Sequence, residues 1–228
     1  MKKFELTTEF ITNALGKKLF RIKALIDFGY VKAGELGGYV EKEGNVSQDG
    51  NAWVSGNAKV SGNAEVRGNA WVSGNAKVSG NAWVSGNTKV SGNAWVRGNA
   101  EVSGNAKVSG NTEVRGNAWV SGNAWVSGNA EVSGNTEVRG NAWVSGNAKV
   151  SGNTDYALIQ GFGTEFRCTT FYRDKNKKIM VNCGYFHGNL EQFREQVKKT
   201  RTGKIAKEYL TIANLMEEHF TSEDSDNE

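Results

Sequence analysis

Residues 50–151 repeat one six-residue unit, G-N-[AT]-x-V-[SR], seventeen times without an insertion or a deletion. A fixed short period of this kind is satisfied by a solenoid, because one unit has too little apolar surface to bury alone and gains it by stacking on its neighbours. Within the unit the order small, variable, valine sends the small residue and the valine to one side of a short strand and the variable residue to the other. Val54, Val60, Val66 and their equivalents to Val150 are expected to line an interior, with Ala52, Ala58 and their equivalents beside them. Each buried valine contributes roughly 1.5 kcal/mol or more, so the core is a rod built from local contacts. Ser or Arg, then Gly and Asn, read as a corner, where Gly and Asn tolerate positive φ. Asn51, Asn57, Asn63 and the later copies are placed to form ladders along the edges. The chain contains no proline, as expected where adjacent coils need the backbone N–H groups.

The unit is similar to the hexapeptide repeat of left-handed parallel β-helix proteins, in which a small residue stands two positions before an aliphatic one. The resemblance implies an all-β solenoid, a left-handed parallel β-helix, with three units per coil of eighteen residues. The variable position does not announce that coil: residues eighteen apart are identical in 5 of 14 comparisons, the frequency expected from composition. On the implied coil one face carries Trp53, Trp71, Lys89, Lys107, Trp125 and Trp143. A second carries Lys59, Lys77, Trp95, Glu113, Glu131 and Lys149, and the third Glu65, Trp83, Glu101, Trp119 and Glu137.

A solenoid needs covered ends, since an open coil exposes apolar side chains and strand edges. Residues 1–49 read as an N-terminal β cap, with strands at 4–11 and 19–28 joined by a turn at 13–18, leading into a degenerate first unit at 44–49. Residues 152–220 read as a C-terminal α+β module with strands at 156–160, 165–173 and 177–183. A helix then opens at Asn189, where Gln192 completes a capping box, and a second amphipathic helix follows Gly203. Residues 221–228 read as a disordered acidic tail. A two-residue turn at Lys175-Asn176 would set Cys168 opposite Cys183, as a reduced pair in a cytoplasm. Residues 21–29 and 31–41 are similar to the opening of a family of bacterial and phage hexapeptide-repeat proteins, often labelled transferase-like. The C-terminal module resembles an ending found on phage and prophage proteins. Together these resemblances imply a mobile-element origin and name no activity.

The net charge of +4 is modest for a nucleic-acid binder. The polar start and the lack of a membrane-length apolar run point to a soluble cytoplasmic protein. Cys168, Cys183, His187 and His219 match no zinc-ligand spacing, so neither a metal nor a cofactor is expected. All seven tryptophans, Trp53, Trp71, Trp83, Trp95, Trp119, Trp125 and Trp143, occupy the outward variable position and are the candidate binding residues. Three covers suit such a surface: self-association, for which the resemblance implies a homotrimer; nucleic acid or glycan, met by the rings, lysines and corner arginines; or water alone, with cross-strand pairs stabilising an exposed sheet.

One pattern favours a passive rod. Residues 109–124 recur at 133–148, offset by 24. That offset is not a whole number of coils, so the copy moves every outward residue to another face. Acyltransferases on this repeat typically carry a catalytic histidine and a loop in or beside the coils, whereas this repeat has no histidine, cysteine or loop. An acyl-CoA-dependent transferase using Cys183 and His187 is therefore an alternative only. The reading favoured by sequence is a non-enzymatic structural or interaction protein of phage or prophage origin, whose rod presents terminal modules to a macromolecular partner such as a host protein. A role against host defence is a subset of that reading.

Overall fold

The structure, a computed structural model, describes residues 1–222; residues 223–228, most of the expected acidic tail, lie outside the described residues. Each repeat unit forms a two-residue strand from its variable residue and its valine, from β4 (Trp53–Val54) to β20 (Lys149–Val150). Each strand pairs in parallel with one eighteen residues away, as Trp53 with Trp71, Lys59 with Lys77 and Glu65 with Trp83. Three units therefore make one coil, and the chain is a parallel β-solenoid of about six turns with a small C-terminal module. The repeat valines, with the alanines and threonines beside them, are buried along the whole rod.

The hydrogen bonding runs one way. In each unit the amides of the asparagine, the variable residue and the corner residue donate to carbonyls seventeen residues further on, as from Asn51 to Gly68 (2.8 Å), Trp53 to Ala70 (3.0 Å) and Ser55 to Val72 (2.9 Å). The first coil is thus left with carbonyls, and the last with amides, that no unit can satisfy. The N-terminal cap supplies donors. Tyr39 and Glu41 donate their amides to Ala58 and Val60, and the Asn45 side-chain amide reaches the carbonyls of Gly62 (3.1 Å) and Ala64 (2.8 Å). Lys3 Nζ donates to the carbonyls of Ala52 (2.9 Å) and Gly50 (3.3 Å). The C-terminal end supplies acceptors: Asn153 Oδ1 takes the amide of Glu137 (2.8 Å), Thr170 Oγ1 that of Trp143 (3.0 Å) and Asp155 Oδ2 that of Ser151 (2.7 Å).

Lys3 gives this capping a pH signature. Burial pushes its ammonium down from 10.5 to about 8, against a smaller opposing pull from Asp49. An unfolded lysine keeps its proton to about pH 10.4, so across that interval the unfolded chain holds more protons than the folded one, and stability rises with pH. Below pH 8 both states are protonated and this contribution is flat. The melting midpoint of the parent is expected to rise between pH 7.5 and 9.5 relative to Lys3→Met; parallel pH profiles would contradict the assignment.

The N-terminal strands β1 (Phe4–Thr12), β2 (Lys18–Ala24) and β3 (Leu36–Val40) extend the second face, with Tyr39 and Val40 paired to Lys59 and Val60. The degenerate unit holds its place through a bridge from Val46 to Val66 on the third face. At the corners only glycine adopts positive φ; the expectation that asparagine shares this conformation is corrected. The asparagines serve through their side chains, in three ladders with links such as Asn69 to Asn87 (2.9 Å), Asn93 to Asn111 (2.9 Å) and Asn99 to Asn117 (3.0 Å).

The C-terminal module is a four-stranded antiparallel sheet, β21 (Tyr156–Phe162), β22 (Arg167–Arg173), β23 (Ile179–Cys183) and β24 (Phe186–Asn189), followed by α1 (Leu190–Thr200) and α2 (Gly203–Ser222). One sheet face closes the rod: Tyr172 joins the rod core, and Asn182 Nδ2 donates to the Trp143 carbonyl (2.8 Å). The other face packs Phe171 and Val181 against the helices. Asn189 and Gln192 form the expected capping box. The sequence reading missed β24, and α2 runs through Ser222 into the stretch expected to be tail.

Candidate functional site

Six of the seven tryptophans lie on the outer surface as expected, and Trp53 does not. Trp83, Trp95, Trp119 and Trp125 are 39–42 % exposed and Trp71 and Trp143 less so, whereas Trp53 is fully buried beneath the N-terminal cap. Its indole meets Phe28 and Phe4 edge-on, at centroid distances of 5.4 and 6.3 Å. Trp53 is therefore a core residue that joins cap to rod. The exposed indoles are distributed over all three faces: Trp125 on the first, Trp95 on the second, Trp83 and Trp119 on the third.

A single rule accounts for much of this surface. An outward side chain leans back over the preceding coil and meets the corner residue sixteen positions earlier. Trp95, Trp119, Trp125 and Trp143 donate their indole N–H to Ser79 (3.2 Å), Ser103 (3.0 Å), Ser109 (3.3 Å) and Ser127 (3.4 Å). Where the corner is arginine, Glu113 takes Arg97, Glu131 takes Arg115, and the Arg67 guanidinium lies 4.7 Å from the Trp83 ring centroid. Arg139 turns instead to Glu137. All four corner arginines are thus engaged within the rod.

The cysteine pairing expected from sequence is corrected. Asp174 Oδ1 accepts the amides of Asn176 (2.8 Å) and Lys178 (2.9 Å), and Lys177 has a φ of 60°, so the turn is longer than two residues. Cys183 consequently lies opposite Thr169, whose hydroxyl donates to Cys183 Sγ at 3.1 Å. Cys168, with its thiol pushed up by burial, falls on the other sheet face. Mild oxidation of the folded chain is expected to leave two titratable thiols; an intramolecular disulfide would contradict this register. His187 pairs with Asn182 on the rod side, away from Cys183, so the two do not form a nucleophile and base. Among the described residues no group of three His, Cys, Asp or Glu side chains is arranged to hold a metal ion, and no helix is long and apolar enough to cross a membrane.

A concave site lies at the end of the sheet farthest from the Asp174 turn. There the 163–166 and 184–185 turns meet the junction of α1 and α2 around a cavity of about 200 Å³. Tyr209, Phe193 and Phe186 form its apolar wall, with Phe193 5.9 Å from Tyr209 and 5.4 Å from Phe186 between centroids. Tyr209 donates its hydroxyl to the Phe162 carbonyl (3.3 Å), and burial raises its pKa. Arg167 and Arg201 line the opening. Two glycines make the cavity possible: a Cβ on Gly163 would lie 2.4 Å from the Tyr209 hydroxyl, and one on Gly184 2.5 Å from Arg167 Nη1. Phe166 and Tyr185, on the two turns, are 65 % and 100 % exposed. The sequence reading singled out none of these four residues; the available signal was the run of five basic residues and no acid at 198–207.

Neither the comparison with protein-family models nor that with curated proteins finds a match to this chain. The family resemblances rest on the residues quoted for them.

Proposed function

We propose that the chain is a non-enzymatic interaction protein, a rod that presents its terminal modules to a macromolecular partner. The observation that carries this reading is the contrast between the two surfaces. Along the rod Arg97, Arg115 and four of the indoles are bonded to neighbouring coils, whereas at the end of the C-terminal module Phe166 and Tyr185 stand exposed, Tyr185 beside the Arg167 guanidinium. A phage or prophage origin, a cytoplasmic setting and a role against host defence belong to the same proposal and are supported only by the resemblances of residues 21–41 and of the terminal module. The test is co-isolation from the native host. The partner is expected to be retained by Trp83→Ser/Trp95→Ser/Trp119→Ser and lost from Phe166→Ser/Tyr185→Ser; the reverse pattern would favour the rod-face binder.

Self-association as a homotrimer is a second proposal, favoured by the stacked Trp125–Trp143 pair, whose rings lie 5.2 Å apart at 6° on a flat sheet face. Its cost is electrostatic. A parallel threefold assembly through that face would bring three copies of Lys89, and three of Lys107, to the same level. Native mass spectrometry of Trp71→Ser/Trp125→Ser/Trp143→Ser tests it: the parent trimer should become monomer, and an unchanged mass would dismiss this face.

A further inference from the structure

We propose that the cavity at the end of the C-terminal module docks an acidic segment of a partner protein, with one apolar side chain inserted and carboxylates placed on Arg167 and Arg201. This rests on the rod-presentation reading and names the chemistry of the partner. The cavity, about 200 Å³, is below the range of small-molecule and cofactor pockets, roughly 300–1,000 Å³, and matches a single side chain.

The opening is positively charged. The nearest carboxylate to Arg167 is that of Glu165 at 4.0 Å, itself 63 % exposed, and the guanidinium leans towards the Tyr185 ring at 5.8 Å. The Arg201 guanidinium donates to the Thr200 carbonyl (3.3 Å), and among the described residues no carboxylate pairs with it. The rod arginines Arg97 and Arg115, by contrast, each hold a glutamate. Lys198 and Lys199 precede Arg201 in the chain, and Lys204 pairs with Glu208 at 3.6 Å. Guanidinium groups recognise carboxylates through paired hydrogen bonds, so an acidic chain is the complementary partner. Phe166 holds a left-handed backbone, φ 48°, while presenting its ring to water. A bulky residue rarely adopts that conformation unless its surroundings impose it, and Phe166 stands on the turn whose neighbours Glu165 and Arg167 line the cavity.

A nucleic acid fits less well, because Glu165 stands at the rim and only a short arc of the opening is basic.

The experiment is a selection of random twelve-residue displayed peptides on the full chain, followed by fluorescence anisotropy of the selected peptides. Enrichment of Asp and Glu around one aromatic or leucine residue is expected, with at least a tenfold loss of affinity on Arg167→Glu/Arg201→Glu and none on Trp119→Ala. Equal melting midpoints of parent and double variant verify the fold. No enrichment, selected peptides without acidic bias, or affinity unchanged by the double variant would overturn the proposal, as would tighter arginine-dependent binding of an oligothymidylate. Failure of the rod-presentation reading is separate: it shows in the tryptophan and Phe166/Tyr185 variants, whatever the peptides do.

Discussion

Trp53→Ala will destabilise the junction of cap and rod by about 3–5 kcal/mol, the range for emptying a buried aromatic site, while Trp119→Ala will cost about 1 kcal/mol or less. Both tryptophans occupy the same position of the same hexapeptide. Only Trp53 is enclosed, by Phe4, Phe28 and Ile22 of the cap, and a Cβ on Gly37 would already lie 2.7 Å from its ring. The cavity left by alanine cannot close, because the first coil below it is fixed by its hydrogen bonds to the second. Hydrogen exchange and thermal melts will locate the loss in β1 to β3 and the first coil. Equal effects of the two substitutions would contradict the buried position. Trp53→Phe should recover much of the loss, since the indole N–H it removes has no partner.

A second large effect is expected at the corners, where glycines stack on glycines. A Cβ on Gly86 would lie 2.6 Å from the carbonyl oxygen of Gly104, whereas one on Gly56 would have 3.4 Å to that of Gly74, at φ values of 74° and 64°. Alanine pays about 1–2 kcal/mol for the left-handed backbone at either site. At Gly86 it must also push the next coil away, adding about 1–3 kcal/mol of overpacking. Gly86→Ala is therefore expected to lower the midpoint of chemical denaturation clearly more than Gly56→Ala. Equal losses would mean that the conformation alone governs the corner.

The six-residue period made the rod legible. Alternation of small residue and valine is enough to set the interior, and the small-x-valine order is enough to set the strands. Asn51 and its copies are legible as ladders because identical residues at identical corners must stack. The sixteen-residue rule also lies in the sequence once the coil is known to be eighteen, since Arg97 and Arg115 stand sixteen before Glu113 and Glu131. Trp53 was not legible, because what buries it comes from residues 4 to 37 and leaves no mark on its own unit. The Cys168 and Cys183 register failed on one side chain: Asp174 captures two amides and lengthens the turn. The terminal cavity was hidden because Arg167, Tyr185 and Arg201 stand well apart in sequence and are gathered only by the order of the four strands.

If the rod is a self-satisfied spacer with the contact surface at its end, deleting residues 86–103 should leave partner binding intact. This removes one complete coil, shortens the rod by about 4.8 Å and keeps every remaining strand on its own face. The shortened chain is expected to bind the co-isolated partner with affinity within twofold of the parent. A loss of tenfold or more in a chain that still folds would contradict it and return the contact to the faces of the rod.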